Sequence, residues 1–176
     1  MSKKVFFVLV VLLVFVSSGT VLAASDLGFK GINLRLAYIH SFEFEQSTFG
    51  YGPGIELGSE SVRVGSSIFY WNKSYASPDW SMSDFAIKIH LRILSLVEGI
   101  KTYAGVGTGL HFMLEKISYS NVSVSTSGKL LGLHFLGGIE LPVHEKVGVL
   151  VDAEYDFFIG HQGEMIISGG VSLKLN

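Results

Sequence analysis

Asp84-Phe-Ala-Ile-Lys-Ile-His-Leu-Arg-Ile93 holds two interleaved sequences in one. Phe85, Ile87, Ile89, Leu91 and Ile93 take every second place, and Asp84, Ala86, Lys88, His90 and Arg92 fill the places between. Successive strand side chains point to opposite faces, so this stretch is a strand with one apolar and one charged face. The same alternation recurs along the chain. The spacing predicts strands over 30–41, 50–58, 62–72, 83–94, 100–115, 128–141, 147–158 and 165–175. In the first, Ile32, Leu34, Leu36 and Tyr38 oppose Asn33, Arg35 and Ala37; in the seventh, Val147, Val149, Val151 and Tyr155 oppose Gly148, Asp152, Glu154 and Asp156. Many such strands in one exported chain predict a barrel that is apolar outside and polar inside. The expected fold is all-β, an eight-stranded antiparallel up-and-down transmembrane β-barrel.

Export is read from the first 24 residues. Lys3 and Lys4 form a positive start, Val5 to Val16 an apolar core, and Val21-Leu22-Ala23-Ala24 a small-residue cleavage site. That three-part pattern is a signal peptide, and its apolar core is shorter than the ~20 residues a spanning helix needs. Residues 25–176 are then one domain. The chain has no cysteine, so a disulfide framework and a thiolate metal site are both excluded. A formal net charge of −2 argues against a nucleic-acid partner, which calls for a clustered basic surface. Glycine is abundant (21) and proline scarce (3), as an all-β chain without a long helical period requires.

The connections alternate. Those near Gly58–Ser61, Ser95–Gly99 and Pro142–Lys146 are short, while 42–49, 73–82 and 116–127 read as longer loops. Outer-membrane barrels place short turns in the periplasm and longer loops outside, and a periplasmic N-terminus gives that register here. Pro53 fits a closed barrel poorly because it removes a ladder donor, and a bulge is expected there. Tyr38, Tyr70 and Tyr155 on the apolar face near strand ends read as an aromatic girdle. Trp71 is expected at the membrane interface, and Trp80 is placed either there or in a binding loop. A soluble barrel with the apolar face inward, holding a small ligand as a lipocalin-like periplasmic carrier does, is the alternative.

Tyr103-Ala-Gly-Val-Gly-Thr-Gly-Leu-His-Phe112, Leu131-Gly-Leu-His-Phe-Leu-Gly-Gly-Ile-Glu140 and Val147-Gly-Val-Leu-Val-Asp-Ala-Glu-Tyr155 carry a resemblance. They are similar to the glycine-rich and acidic-aromatic strands of small OmpA/OmpX-like outer-membrane proteins, the outer membrane protein beta-barrel domain group. The resemblance spans about 26–176. It implies the outer membrane of a bacterium, contact with outer-membrane lipids, and a C-terminal strand read by the assembly machinery. Ser168, Gly170, Leu173 and Leu175 stand in the pattern of that strand. The chain departs from the group in ending Leu175-Asn176 rather than in an aromatic residue.

The polar faces nominate an interior ionic network: Arg35, Glu56, Arg63, Lys88, His90, Arg92, Lys101, Glu115, His134, Glu140, Asp152, Glu154 and Lys174. An eight-stranded barrel is filled by side chains, and charges confined there must be paired. The network is expected to plug the barrel; a narrow ion or proton path is the functional alternative. His90, His111 and His134 on neighbouring strands form a candidate imidazole trio for zinc, although no cofactor is expected. His40, Ser41, Glu43, Glu45 and His161 near the outer rim are candidates for a lipid A-modifying enzyme, since some small barrels of the class acylate or deacylate lipid A. The His-x-Ser-Asn-Ala run of the deacylases is missing. Asn72-Lys-Ser and Asn121-Val-Ser match a glycosylation triplet and read as ordinary loop polars. The expected role is structural or adhesive at the cell surface, without catalysis, with any surface partner meeting the outer loops.

Overall fold

The computed structural model describes residues 28–43, 45–76, 79–119 and 122–175; the expected leader and Asn121 lie outside them. Eight strands follow in order: β1 (Gly28–Ser41), β2 (Gln46–Gly58), β3 (Val62–Ala76), β4 (Asp79–Val97), β5 (Ile100–Tyr119), β6 (Val122–His144), β7 (Val147–Phe158) and β8 (Glu164–Lys174). Each pairs antiparallel with its neighbour in sequence, and β8 closes onto β1 from Gly31↔Lys174 to Ser41↔Glu164. The result is a closed up-and-down transmembrane barrel, with every expected strand present.

Short turns gather at the end that holds Gly28 and Leu175, here the terminus end. The turn between β4 and β5 is Glu98-Gly99, both at positive φ (51° and 84°). That is the type I′ geometry whose twist matches the flanking strands, with glycine at its second place. The opposite, loop end is uneven. β7 and β8 are 12 and 11 residues long, while β5 and β6 are 20 and 23. A membrane strand needs about 9–11 residues.

The surplus forms a separate feature. The β6–β7 ladder starts at Gly132↔Phe158, and the β2–β3 ladder at Gly50↔Trp71. Beyond those pairs β3, β4, β5 and β6 pair only with one another, out to Ala76↔Asp79 and Tyr119↔Val122. A four-stranded sheet therefore rises past the loop end, with a free edge along Val122–Leu131 of β6; on its β3 side Thr48 donates to the Asn72 carbonyl at 2.9 Å. The stretches 73–82 and 116–127, expected as loops, are largely strand. Their serines, Ser74, Ser81, Ser118, Ser123, Ser125 and Ser127, all lie on the outward row, where the wall below is aliphatic, and cross-strand pairing holds them extended.

Pro53 makes no bulge. Leu34↔Pro53 sits in unbroken register against β1. Against β3 the ladder skips Gly52 and Pro53 and resumes at Gly54↔Ser67 in the same register. The missing donor is absorbed as a two-position gap in one ladder.

The two faces of the wall are opposite in character. Leu34 on the outward row of β1 is 62% exposed, while Arg92 on the inward row of β4 is 2% exposed. Outward aliphatic residues run round the whole wall. In water this surface would far exceed the few hundred Å² of contiguous apolar patch that soluble monomers expose. Near the loop end the outward face turns aromatic. Tyr38 meets Phe49, Tyr51 meets Tyr70 and Phe85 meets Phe112 across strands, at ring distances of 5.9, 6.0 and 6.1 Å. Inside, an apolar cap of Ala37, Ile39, Phe69, Trp71, Met82, Ala86 and Ile166 closes the loop end. Trp71 belongs to that cap and not to the membrane interface. It shares inward parity with Arg63 and Phe69, and that parity overrides the preference of tryptophan for interfaces. Trp80 packs partly buried against the same cluster.

Candidate functional site

Parity along each strand sends the charged side chains to the barrel axis, where they meet in two layers. In the layer nearer the terminus end, Glu56 is the hub. Arg92 Nη1 donates to its Oε1 (2.5 Å), Arg63 Nη1 to its Oε2 (2.9 Å) and Asn33 Nδ2 to its Oε1 (3.3 Å). Arg63 also reaches Glu140 at 3.4 Å. Asp152 accepts from Tyr103 (3.0 Å) and Ser168 (2.8 Å), with the Arg35 guanidinium at 3.7 Å. Arg92 lies over the Tyr103 ring at 4.7 Å.

The layer nearer the loop end turns on one ammonium. Lys88 Nζ donates to Glu154 Oε1 (2.6 Å) and Asp156 Oδ2 (2.5 Å). His111 Nδ1 lies 2.6 Å from Asp84 Oδ2, and its ring meets Phe158 edge-on at 4.8 Å. Asp84, His111, Asp156 and the inward-facing Glu164 are all buried, and none is among the residues the sequence nominates for the network. The signal is there: Asp156 follows Glu154 by two, and Asp84 precedes Lys88 by four, on the same faces.

Arg35, Glu56, Arg63, Lys88, His90, Arg92, His134, Glu140, Asp152 and Glu154 are buried in the barrel. Lys101, Glu115 and Lys174 are not; each is only half-buried. Lys174 reaches Glu140 from the terminus-end rim at 3.4 Å. Lys101 instead joins Lys30 on Glu60, in the β2–β3 turn, at 2.8 and 3.1 Å. The two lysines hold the Glu60 carboxyl down at about 2, against an ordinary 4.5. Glu115 stands on the protruding sheet, opposite Met82 and Thr126.

The three imidazoles do not converge on a metal. The rings of His90 and His134 sit 5.9 Å apart, edge to face. Each Nε2 aims at a glycine on the next strand, so that a Cβ at Gly65 would strike His90 and one at Gly107 would strike His134. His111 is engaged by Asp84 instead. His134, Glu154 and Asp156 do bring donor atoms within 4.8 Å of one another. There the Lys88 ammonium already bridges both carboxylates and supplies the positive charge a cation would bring.

The rim candidates separate as well. His161 Nδ1 lies 3.0 Å from Glu43. His40 Nδ1 pairs at 3.0 Å with Ser47, not Ser41, and Tyr38 also donates to the Ser47 hydroxyl at 2.7 Å. Among the described residues no carboxylate orients His40, so nucleophile, base and orienting group are not assembled. The soluble-carrier alternative needs the aliphatic stripes to line a cavity, and they face outward. The cavity beside Arg35, Gly52, Ser67, Lys88 and Glu154 holds about 10 Å³, room for roughly one water.

Fold and faces together define a small eight-stranded transmembrane β-barrel. No protein-family model matches the sequence, and no curated protein matches it either. Solved structures share the fold. Ail, the attachment invasion locus protein of Yersinia pestis, in complex with the heparin analogue sucrose octasulfate, superposes with a TM-score of 0.64 at 15% identity, over 84% of this chain and 99% of that one. Neisserial surface protein A gives 0.60 at 15% identity, over 84% and 96%. A major outer membrane protein of Thermus thermophilus gives 0.59 at 9% identity, over 83% and 99%.

Proposed function

We propose that this chain is a non-enzymatic protein of a bacterial outer membrane, exported by its leader and assembled through β8. Its barrel is a plugged anchor for the sheet that rises at the loop end, and that sheet is an interaction surface outside the cell. One observation carries the reading: β6 leaves a row of backbone donors and acceptors unpaired from Val122 to Leu131, above a barrel whose axis is filled. An unpaired edge is a template for another strand. The arginine-carboxylate network on the axis and the one-water cavity beside Arg35 and Lys88 support an anchor over a conduit. The named ligand of Ail, a sulfated sugar analogue, supports a binding role for surfaces on this fold.

Because the chain has no native cysteine, single cysteines report sidedness cleanly. Ser123→Cys at the sheet and Glu145→Cys at the β6–β7 turn are exposed to a membrane-impermeant maleimide on intact cells. Labelling of Ser123→Cys alone is expected. Labelling of Glu145→Cys alone, or recovery of the folded protein in the soluble periplasm, would overturn the reading.

A further inference from the structure

Beyond Lys129 the free β6 edge is unguarded. From Val122 to Gly128 it carries no charged residue and no proline, two of the devices by which natural edges block pairing. Its inward-parity face also carries an apolar row beyond the Met82–Glu115–Thr126 row. Trp80 pairs with Ile117, and Ile117 with Val124, so one apolar row crosses three strands and stops at the edge. Val122 and Val124 are 64% and 59% exposed there.

We propose that this edge pairs with the same edge of a second copy held in a facing membrane, joining two cells. The inference rests on the surface reading above and names its partner. Two copies in one membrane run their β6 strands in the same direction, so their edges meet only in parallel. A two-fold axis along the strands would also put the two apolar rows on opposite faces. Copies in facing membranes run antiparallel, about a two-fold axis perpendicular to the sheet. That arrangement keeps both apolar rows on one face and gives the isologous contact of a symmetric dimer.

The sequence suits such pairing. Centred on Ser125, Val124 faces Thr126, Ser123 faces Ser127 and Val122 faces Gly128. No like charges are brought together, and the Val–Thr pairs are of the β-branched kind that stabilises sheets. A strand from an unrelated protein would satisfy the same backbone groups, but nothing in the edge selects its side chains.

The test uses whole cells making the full chain, in two differently coloured populations. Ser123, Ser125 and Ser127 lie on the outward-parity face and are exposed, so replacing all three leaves the barrel intact; a heat-dependent gel shift checks folding. Wild-type cells are expected to clump. Cells with all three serines changed to lysine, or all three to glutamate, are expected to lose clumping when alone. A one-to-one mixture of the lysine and glutamate cells is expected to regain it in two-coloured clumps, because the antiparallel register sets every lysine against a glutamate. Wild-type cells that stay dispersed would overturn self-pairing, as would triple-lysine cells that clump like wild type or a mixture that stays dispersed. Surface labelling of Ser123→Cys separates the readings: a labelled sheet on dispersed cells ends self-pairing and leaves the surface role standing.

Discussion

The two layers of buried charge solve the same problem differently. Near the terminus end, Arg35, Arg63 and Arg92 face Glu56, Glu140 and Asp152, and most of these carboxylates have several partners. Near the loop end, Lys88 bridges Glu154 and Asp156, and His111 serves both Asp84 at 2.6 Å and, more distantly, Asp156 at 3.7 Å. A guanidinium offers five donors in a planar fork and can be shared between neighbours. An ammonium is a point charge. The first layer is redundant, and the second leans chiefly on one ammonium. Both lie inside a wall whose outward face is aliphatic, so neither can relax by moving to lipid.

Lys88→Met breaks this comparison hardest. It takes the one ammonium from two buried carboxylates and leaves only the 3.7 Å His111 contact to Asp156, a loss of about 3–5 kcal/mol. Urea unfolding in lipid vesicles reads it, and the triple variant Lys88→Met with Glu154→Gln and Asp156→Asn should recover most of the loss. Arg63→Met tests the redundant layer. Glu56 keeps Arg92 and Asn33, and Glu140 keeps Lys174 and Ser172, so the loss is expected at about 1–3 kcal/mol. A larger loss for Arg63→Met than for Lys88→Met would reverse the ranking of the layers.

Tyr103→Phe is smaller again. It removes one donor from Asp152, which keeps Ser168 and Arg35, for about 1 kcal/mol on the same unfolding curves. Glu60→Gln, at the rim where water screens the pair, is expected to cost only a few tenths of a kcal/mol. Its contribution has a defined pH window. The folded carboxyl titrates at about 2 instead of 4.5. The stability it adds is therefore fully present above the ordinary value and is lost as pH falls through about 2. Wild type and Glu60→Gln should converge in acid and separate above about pH 5.

Parity makes much of the molecule legible in the sequence. Alternation in 84–93 places Lys88, His90 and Arg92 inside and Ile87, Ile89 and Leu91 outside, and the same argument sets the faces of the other strands. The reading fails where a residue-type preference outvotes that parity. The preference of tryptophan for interfaces points Trp71 outward, though its place two after Phe69 sends it inward. The serine-rich arms of β5 and β6 read as loops because serine takes the outward row that is aliphatic in the wall, so the lipid-facing signal is lost there. What parity cannot supply is depth. It gives no sign that His111 sits on Asp84 while His90 and His134 meet each other, or that Lys101 ends at the rim on Glu60. Those follow from strand stagger around a closed barrel, which only the pairing registers reveal.

The barrel is inverted, with lipid against its aliphatic wall and its charges on the axis. Cell fractionation followed by gel electrophoresis of unheated and heated outer-membrane extracts tests it most directly. The protein is expected in the outer-membrane fraction, with a band that changes mobility on heating as the closed barrel opens. A protein found in the soluble periplasm, with one mobility before and after heating, would contradict it.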